Sequence, residues 1–325
     1  MDVATLPVPC SNLVSMKVVP IERRSASGLS YRDYTEDYVI KNRPVIITDA
    51  IERWSALRTW TPDFFRRQHG SKIVRVSDTV TMTFADLIDA VEASTPEKPG
   101  PYLHKVFPHR DMPELLKDLQ PEVPFTFPCR YSSALMPQRL RRPDGYLKLL
   151  IGGVGAKFPV MHWDNDNANA LITELYGLKE FVLFSPNQTP FIYPQPGSPH
   201  TSQLSDLENP DLNKFPLFVK ATQYRDVLKP GEMILIPAGW WHSTRMLSVS
   251  ISVCCNSLHP ANWRGFVDDA CTSGKHSLQT WMKRSYLTGL GGVLSAAETI
   301  QERFPKSGIS RRLHAVAPLG SGTLS

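Results

Sequence analysis

The rhythm of apolar and polar positions changes twice along the chain. Up to about residue 100, helical and strand rhythms alternate. Residues 31–41 carry a helical pattern, with Thr35 as candidate N-cap and Glu36 and Asp37 in the first turn. Pro44-Val45-Ile46-Ile47-Thr48 reads as a buried strand. Thr61-Pro62-Asp63 opens a helix that Gly70 stops. A short strand over 72–76 follows. Thr83 and Asp86 then cap a helix whose Leu87, Ile88 and Val91 share one face. Residues 94–100 form a Pro-rich surface loop.

From about residue 100 the pattern shortens to β-like runs between turns. Residues 146–151 form one run, ended by Gly152-Gly153; 171–175 and 180–184 flank Gly177. Pro230-Gly231 turns into a strand over 233–236, residues 237–241 turn again, and 247–254 alternates as a strand. A polar, Pro-rich insert fills 186–210. Many short strands without interleaved helices predict a barrel or sandwich. Residues 263–304 return to helical spacing, with Leu287, Leu290, Val293 and Leu294 as an apolar face. The first fifteen residues read as a loose leader and the last twenty as a fraying tail. There is no internal repeat.

Composition narrows this picture. Of 325 residues, 42% are hydrophobic and 10% aromatic, which excludes a disordered chain. The 28 Pro are spread along the sequence and argue against a helical bundle. With 36 Lys and Arg against 31 Asp and Glu, the net charge is only +5 and shows no dense basic run, so nucleic acid is not indicated. Five cysteines without regular spacing make neither a disulfide framework nor a zinc ribbon. Cys254 and Cys255 are expected to point to opposite faces of a strand. With Asp2 at the start and no apolar leader or span, a soluble protein of a reducing compartment is expected, cytoplasmic or, in a eukaryote, also nuclear.

The sharpest chemical signal is His162-Trp163-Asp164. On an extended segment, residues i and i+2 face the same way, so His162 and Asp164 can share a metal. His242, after Pro237-Ala238-Gly239-Trp240-Trp241, is the best candidate for a third ligand. Two imidazoles and one carboxylate form the facial triad of non-haem Fe(II) oxygenases. An isolated His-x-Asp arises often by chance, and specificity comes only from its surroundings. His200 reads as an ordinary surface or turn residue. Trp163, Trp240 and Trp241 read as packing around the metal.

Those surroundings resemble the JmjC, or cupin-like, 2-oxoglutarate oxygenases. The carrying stretches are His162-Trp163-Asp164, Gly177-Leu178-Lys179, Leu183-Phe184-Ser185-Pro186, Glu208-Asn209-Pro210-Asp211-Leu212, and Leu228-Lys229-Pro230-Gly231-Glu232 through His242. Their order is similar to the small hydroxylase branch that includes the asparaginyl hydroxylase of hypoxia-inducible factor. Asn42-Arg43-Pro44-Val45-Ile46-Ile47, Trp54, Trp60, Tyr102-Leu103 and Met112-Pro113-Glu114-Leu115 extend the likeness over roughly 18–258.

The resemblance implies a mainly β fold with helical additions: a double-stranded β-helix (jelly-roll) core over about 100–258, an N-terminal α/β region over 1–99, C-terminal helices over 259–305 and a tail over 306–325. It implies Fe(II) on His162, Asp164 and His242, with 2-oxoglutarate and O2 as co-substrates. It implies that Lys179, helped by Tyr102, pairs with the distal carboxylate of 2-oxoglutarate. Lys179 as a solvated turn lysine and Tyr102 as a core tyrosine are the alternatives. Pro159 stands where the family often has Thr or Ser and offers no hydroxyl. The Asp-to-Lys interval is long, so the family Asn near the co-substrate is Asn169, or Asn167, or absent. Asn256 resembles a second family Asn, without the usual aromatics after it.

The implied reaction is hydroxylation of a C–H bond on a protein or peptide side chain, with succinate and CO2 as co-products. N-methyl-lysine demethylation and small-molecule or RNA-base hydroxylation use the same chemistry, and a cupin-like binding module without turnover is the non-enzymatic alternative. For the face of Leu287, Leu290, Val293 and Leu294 the resemblance implies a homodimer through the C-terminal helices, with packing on the barrel as the alternative.

Overall fold

The structure, a computed structural model, describes residues 16–126, 129–142, 147–158, 160–272 and 277–304. The expected leader and tail, Tyr146 and Pro159 lie outside the described residues. In chain order the strands are β1 (Lys17–Val19), β2 (Arg23–Ser25), β3 (Val45–Thr48), β4 (Ile73–Arg75), β5 (Thr81–Thr83), β6 (Tyr102–Val106), β7 (Lys148–Gly152) and β8 (Asn169–Tyr176). Then come β9 (Lys179–Phe184), β10 (Pro194–Gln195), β11 (Ser198–Ser202), β12 (Thr222–Leu228), β13 (Met233–Ile236), β14 (Trp241–Met246) and β15 (Ser250–Ser257). Single helical turns aside, the helices are α1 (Tyr31–Tyr34), α2 (Pro62–His69), α3 (Phe84–Glu92), α4 (Trp263–Ala270) and α5 (Leu278–Arg303).

Two sheets face each other as a jelly roll. The larger has the order β2-β3-β13-β8-β15-β7-β6 and the smaller β1-β12-β9-β14. All of these pairings are antiparallel except β2 with β3 and β1 with β12. The strands of the larger sheet are covered on both faces, which is why β3, β8 and β13 are apolar runs rather than alternating ones. Ile46, Leu150, Ala170, Ile172, Ile234 and Cys254 point into the barrel. Their neighbours Val45, Ile47, Leu149, Leu171, Leu235 and Val253 point out, against α2, α3 and the N-terminal third. Each such fully buried aliphatic contributes about 1.5–3 kcal/mol relative to exposure. Cys254 and Cys255 fall on opposite faces, as their adjacency in a strand predicts. The outer face of the smaller sheet, Val182, Phe184 and Trp241, is covered by Ile192 and Leu204 from the Pro-rich insert and by Phe215 and Phe218 from the segment that follows it.

The local signals resolve in physical terms. Thr61 and Thr83 cap α2 and α3, accepting from Phe64 N and Asp86 N, each at 3.1 Å. Thr35 is not a cap: Ser30 accepts from Asp33 N at 3.0 Å, and Thr35 lies inside the helical run, which widens into a π turn over Thr35–Val39. The strand expected over 247–254 begins at Ser250 instead, because residues 247–249 make the turn out of β14, with Leu247 N donating to Leu178 O. Gly177 faces that turn with φ +85, and a Cβ there would stand 1.8 Å from Val249 O. In α5, Leu287, Leu290 and Leu294 are buried against Trp263, Phe266 and Val267 of α4, so these leucines pack within the chain and are not a dimer seam, while Val293 is 54% exposed, about 100° round the helix from them. Among the described residues no helix is long and apolar enough to cross a membrane.

Candidate metal centre

β14 and the segment before the Asn165–Asn167 turn bring the ligand candidates together. His162 and His242 are direct cross-strand neighbours: His242 N donates to His162 O at 2.7 Å and His162 N to His242 O at 3.2 Å. Their side chains therefore emerge side by side, with ring centroids 4.3 Å apart. Asp164, two residues on, faces the same way. One ligand atom from each of the three lies within 4.8 Å of the others.

The imidazoles are prepared for a metal. Nδ1 of His162 is 3.0 Å from Val160 O, and Nδ1 of His242 is 3.0 Å from Trp240 O. A carbonyl only accepts, so each Nδ1 carries the hydrogen and each Nε2 keeps its lone pair free. Burial and the adjacent His242 push His162 down to about 3, so this ring is neutral at physiological pH. Two imidazole nitrogens and a carboxylate on one side of a cavity are the donor set that suits Fe(II) with open positions.

The Asp164 carboxylate is held from behind. Asn256 Nδ2 donates to its Oδ2 at 3.4 Å. The following turn contains two consecutive non-glycine residues with positive φ, Asp166 (62°) and Asn167 (47°). Asp and Asn tolerate that region best, yet two in a row need an external clamp. It comes from the helical layer: Asn262 Nδ2 donates to Asn167 O at 2.7 Å, Asn167 Nδ2 to Asn262 O at 3.2 Å, and Tyr131 OH to Asp166 Oδ2 at 3.2 Å. The long Asp-to-Lys interval is this clamped turn.

Below the triad the barrel opens into a cleft of about 580 Å3, its solvent-filled mouth included. Tyr102, His104, Lys148, Leu150, Phe158, Ala170, Ile172, Thr244 and Cys254 line it with the three ligand residues. Phe158 stacks on His162 with centroids 4.3 Å apart. Burial pushes the Cys254 thiol up to about 11, so it enters the cavity neutral. Thr244 Oγ1 is buried with no hydrogen-bond partner.

Lys179 is fully buried behind Tyr102, not a solvated turn residue. Its Nζ donates to Tyr102 OH at 3.2 Å and to Ser252 Oγ at 3.1 Å. Tyr102 thus joins the cavity to the only described lysine that is fully buried. Asn169 and Asn167 point elsewhere. Asn169 Oδ1 accepts from Ala238 N at 2.9 Å, which ties down the turn before His242, and Ala170 is the neighbour that lines the cavity. His200 lies in β11, half-buried beside Trp163, rather than in a turn. Trp240 and Trp241 pack on opposite faces of the smaller sheet. His104, Lys148 and Thr244 escaped the sequence reading because their strand faces are decided by register, although Thr244 stands at His242 plus two and shares its face.

The comparisons with known proteins agree with this geometry. The family model described as a cupin-like domain matches residues 32–261, more than two thirds of the chain. Lysine-specific demethylase 8 of Xenopus tropicalis is 26% identical over 237 residues, covering 69% of this chain and 50% of that protein. Arginine-specific demethylase JMJ20 of Arabidopsis thaliana is 26% identical over 272 residues, covering 74% and 58%. The human bifunctional peptidase and (3S)-lysyl hydroxylase JMJD7 is 26% identical over 261 residues, covering 68% and 78%. The chain thus spans about half the length of the first of these relatives. A jelly roll with a His-Asp-His cluster at its mouth, matched across most of the barrel, identifies the chain as a member of the cupin-like, JmjC-type domain family.

Proposed function

We propose that this protein is an Fe(II)- and 2-oxoglutarate-dependent dioxygenase that hydroxylates a C–H bond on a protein or peptide side chain, releasing succinate and CO2. The observation that carries the reading is the arrangement of three ligands with fixed tautomers above a cavity backed by a buried lysine. Fe(II) bound by His162, Asp164 and His242 supplies the oxygen chemistry. The chain's own residues do the rest. Val160 O and Trp240 O hold the two imidazoles in register, and Asn256 fixes the carboxylate. Lys179 and Tyr102 offer an ammonium and a hydroxyl to the distal carboxylate of 2-oxoglutarate, and Thr244 adds a free hydroxyl along its path. The apolar walls exclude water from the reacting bond. The barrel works as one catalytic unit with its N-terminal wrap and C-terminal helices.

Anaerobic addition of Fe(II) and 2-oxoglutarate is expected to raise a visible charge-transfer band in the wild type and none in His242→Ala. No band in the wild type, or an equal one in the variant, would sink the assignment. A protein substrate is favoured by relatives named as a lysyl hydroxylase and as lysine- and arginine-specific demethylases. Those names also support a second reading, N-methyl demethylation by the same hydroxylation. Peptides captured from the native host separate the two, by a gain of one oxygen or by loss of a methyl with formaldehyde release. The free thiols of Cys254, Cys255 and Cys271 suit a reducing compartment such as the cytoplasm.

The partner of α5 is a second copy of the chain. Leu278, Met282, Tyr286, Val293, Ile300 and Phe304 form an exposed apolar stripe at helical spacing, about 100° round the helix from the buried leucines. Sedimentation should give a dimer that Val293→Glu dissociates; a monomeric wild type would refute it.

A further inference from the structure

Two of the five buried side-chain polar atoms without a partner, among the described residues, lie along the barrel: Thr244 Oγ1 and Glu174 Oε2. Glu174 is the more unusual, being a fully buried acid. It follows Ala170 and Ile172 on the inward row of β8, one step deeper than the cavity wall. Lys179 enters the barrel from the other side of the same Gly177 turn. Ser252 links them, because it is the cross-strand partner of Glu174 and accepts from Lys179 Nζ. Ser250 Oγ donates to Glu174 Oε1 at 2.6 Å, and Oε2 is left bare.

The groups facing Glu174 are few. β9 brings Lys179, the one charged group that acts on it, and β15 brings the two serines. β6 brings Tyr102, already bonded to Lys179. On β13, Glu232 is occupied by Arg23 at 3.1 Å and by Lys229 N at 2.9 Å. Burial pushes Glu174 up to about 8, against the pull of Lys179 and the serines. An ionised Glu174 therefore depends on Lys179 as its counter-ion. A carboxylate that arrives at Lys179 takes that counter-ion over, and two carboxylates in a dry barrel do not share one ammonium.

We infer that Glu174 is a positioning residue for the co-substrate: 2-oxoglutarate binds only beside a protonated Glu174, drawing one proton from solvent wherever the free protein holds that carboxylate ionised, which keeps Lys179 free for the incoming anion. The inference rests on the co-substrate reading above. The one covalent change is an O–H bond formed on an ionised Glu174 with a proton from solvent, as the ammonium exchanges carboxylates.

The test measures 2-oxoglutarate binding to the full-length, Mn(II)-loaded protein by titration calorimetry from pH 6.5 to 9. Wild-type affinity should be flat below about pH 7 and weaken toward a limit of about tenfold per pH unit above pH 8. At pH 9, buffers of different ionisation enthalpy should report about one proton taken up per ligand bound. Glu174→Gln should remove the slope and bind roughly tenfold tighter than wild type at pH 9, and Glu174→Asp should restore the slope. A slope that survives in Glu174→Gln, or no proton uptake by the wild type at pH 9, overturns the inference. The proton count needs no variant, so it decides even where Glu174→Gln fails to fold. Wild type that binds no 2-oxoglutarate at any pH overturns the co-substrate reading itself. Binding lost in Lys179→Ala with the slope intact in Glu174→Gln overturns only the role of Glu174.

Discussion

The helical layer and the barrel each bury an acid beside a base, and they complete them differently. In the helical layer, Arg130 donates from Nε and Nη2 to both carboxylate oxygens of Glu298, at 3.0 and 2.6 Å, and from Nη2 to Ser295 Oγ at 2.7 Å. Its guanidinium also lies 5.1 Å from the Trp263 ring. In the barrel, Glu174 makes one hydrogen bond and Lys179 two, both to hydroxyls. A buried pair is tolerable when its desolvation is repaid by bidentate geometry and spare hydrogen bonds, as Arg130 and Glu298 provide. The barrel pair leaves that compensation undone. The difference separates a charge pair that fastens α5 to the core from two barrel groups with bonding capacity to spare, as the proposed co-substrate role requires.

Three measurements would break or sharpen this contrast. The largest effect is expected from Arg130→Ala, which strands the Glu298 carboxylate. Denaturant unfolding should show a loss of about 3–5 kcal/mol. A loss below about 1 kcal/mol would mean that the pair is not the fastening it resembles. The second concerns pH. The folded value of Glu174 lies above its unfolded value near 4.3, so the stability it lends is complete below that pH and drains away as pH rises to about 8. The stability difference between Glu174→Gln and wild type should therefore grow in favour of the variant by up to about 1.4 kcal/mol per unit between pH 5 and 8. A pH-independent difference would show that Glu174 is already ionised and paired. The smallest effect is Thr244→Val. Removing an unpaired buried hydroxyl should raise stability by about 1 kcal/mol or less while lowering 2-oxoglutarate affinity. A destabilised variant would reveal a bond that the orphan hydroxyl makes.

Legibility in the sequence followed the range of the forces involved. The caps at Thr61 and Thr83 were readable because capping joins residues three apart. His162 and Asp164 were readable because an extended backbone fixes the facing of i and i+2. Thr35 misled because its acidic first turn is real in sequence while the helix had already begun at Ser30. Asn169 misled for a different reason. In β8, one residue of register separates the wall of the cavity, Ala170, from the rear of the strand, where Asn169 binds Ala238. Val293 shows the same sensitivity in a helix, where one position turns a side chain from the core to the surface.

What the sequence determined by itself is the chemistry on offer: two imidazoles, a carboxylate and a lysine, within motifs whose resemblance to the JmjC oxygenases implies a metal-bearing jelly roll, and a chain punctuated into short strands. Tertiary structure decided what those groups face. The cross-strand pairing of His162 with His242, the clamp of Asn262 on the turn after Asp164, and the seclusion of Glu174 beside Lys179 all join residues between five and about a hundred positions apart. Local spacing cannot encode such meetings, because sheet register and burial arise only when the two sheets close on one core. Burial is also what makes an ordinary glutamate costly to ionise, and therefore able to answer to a ligand's charge.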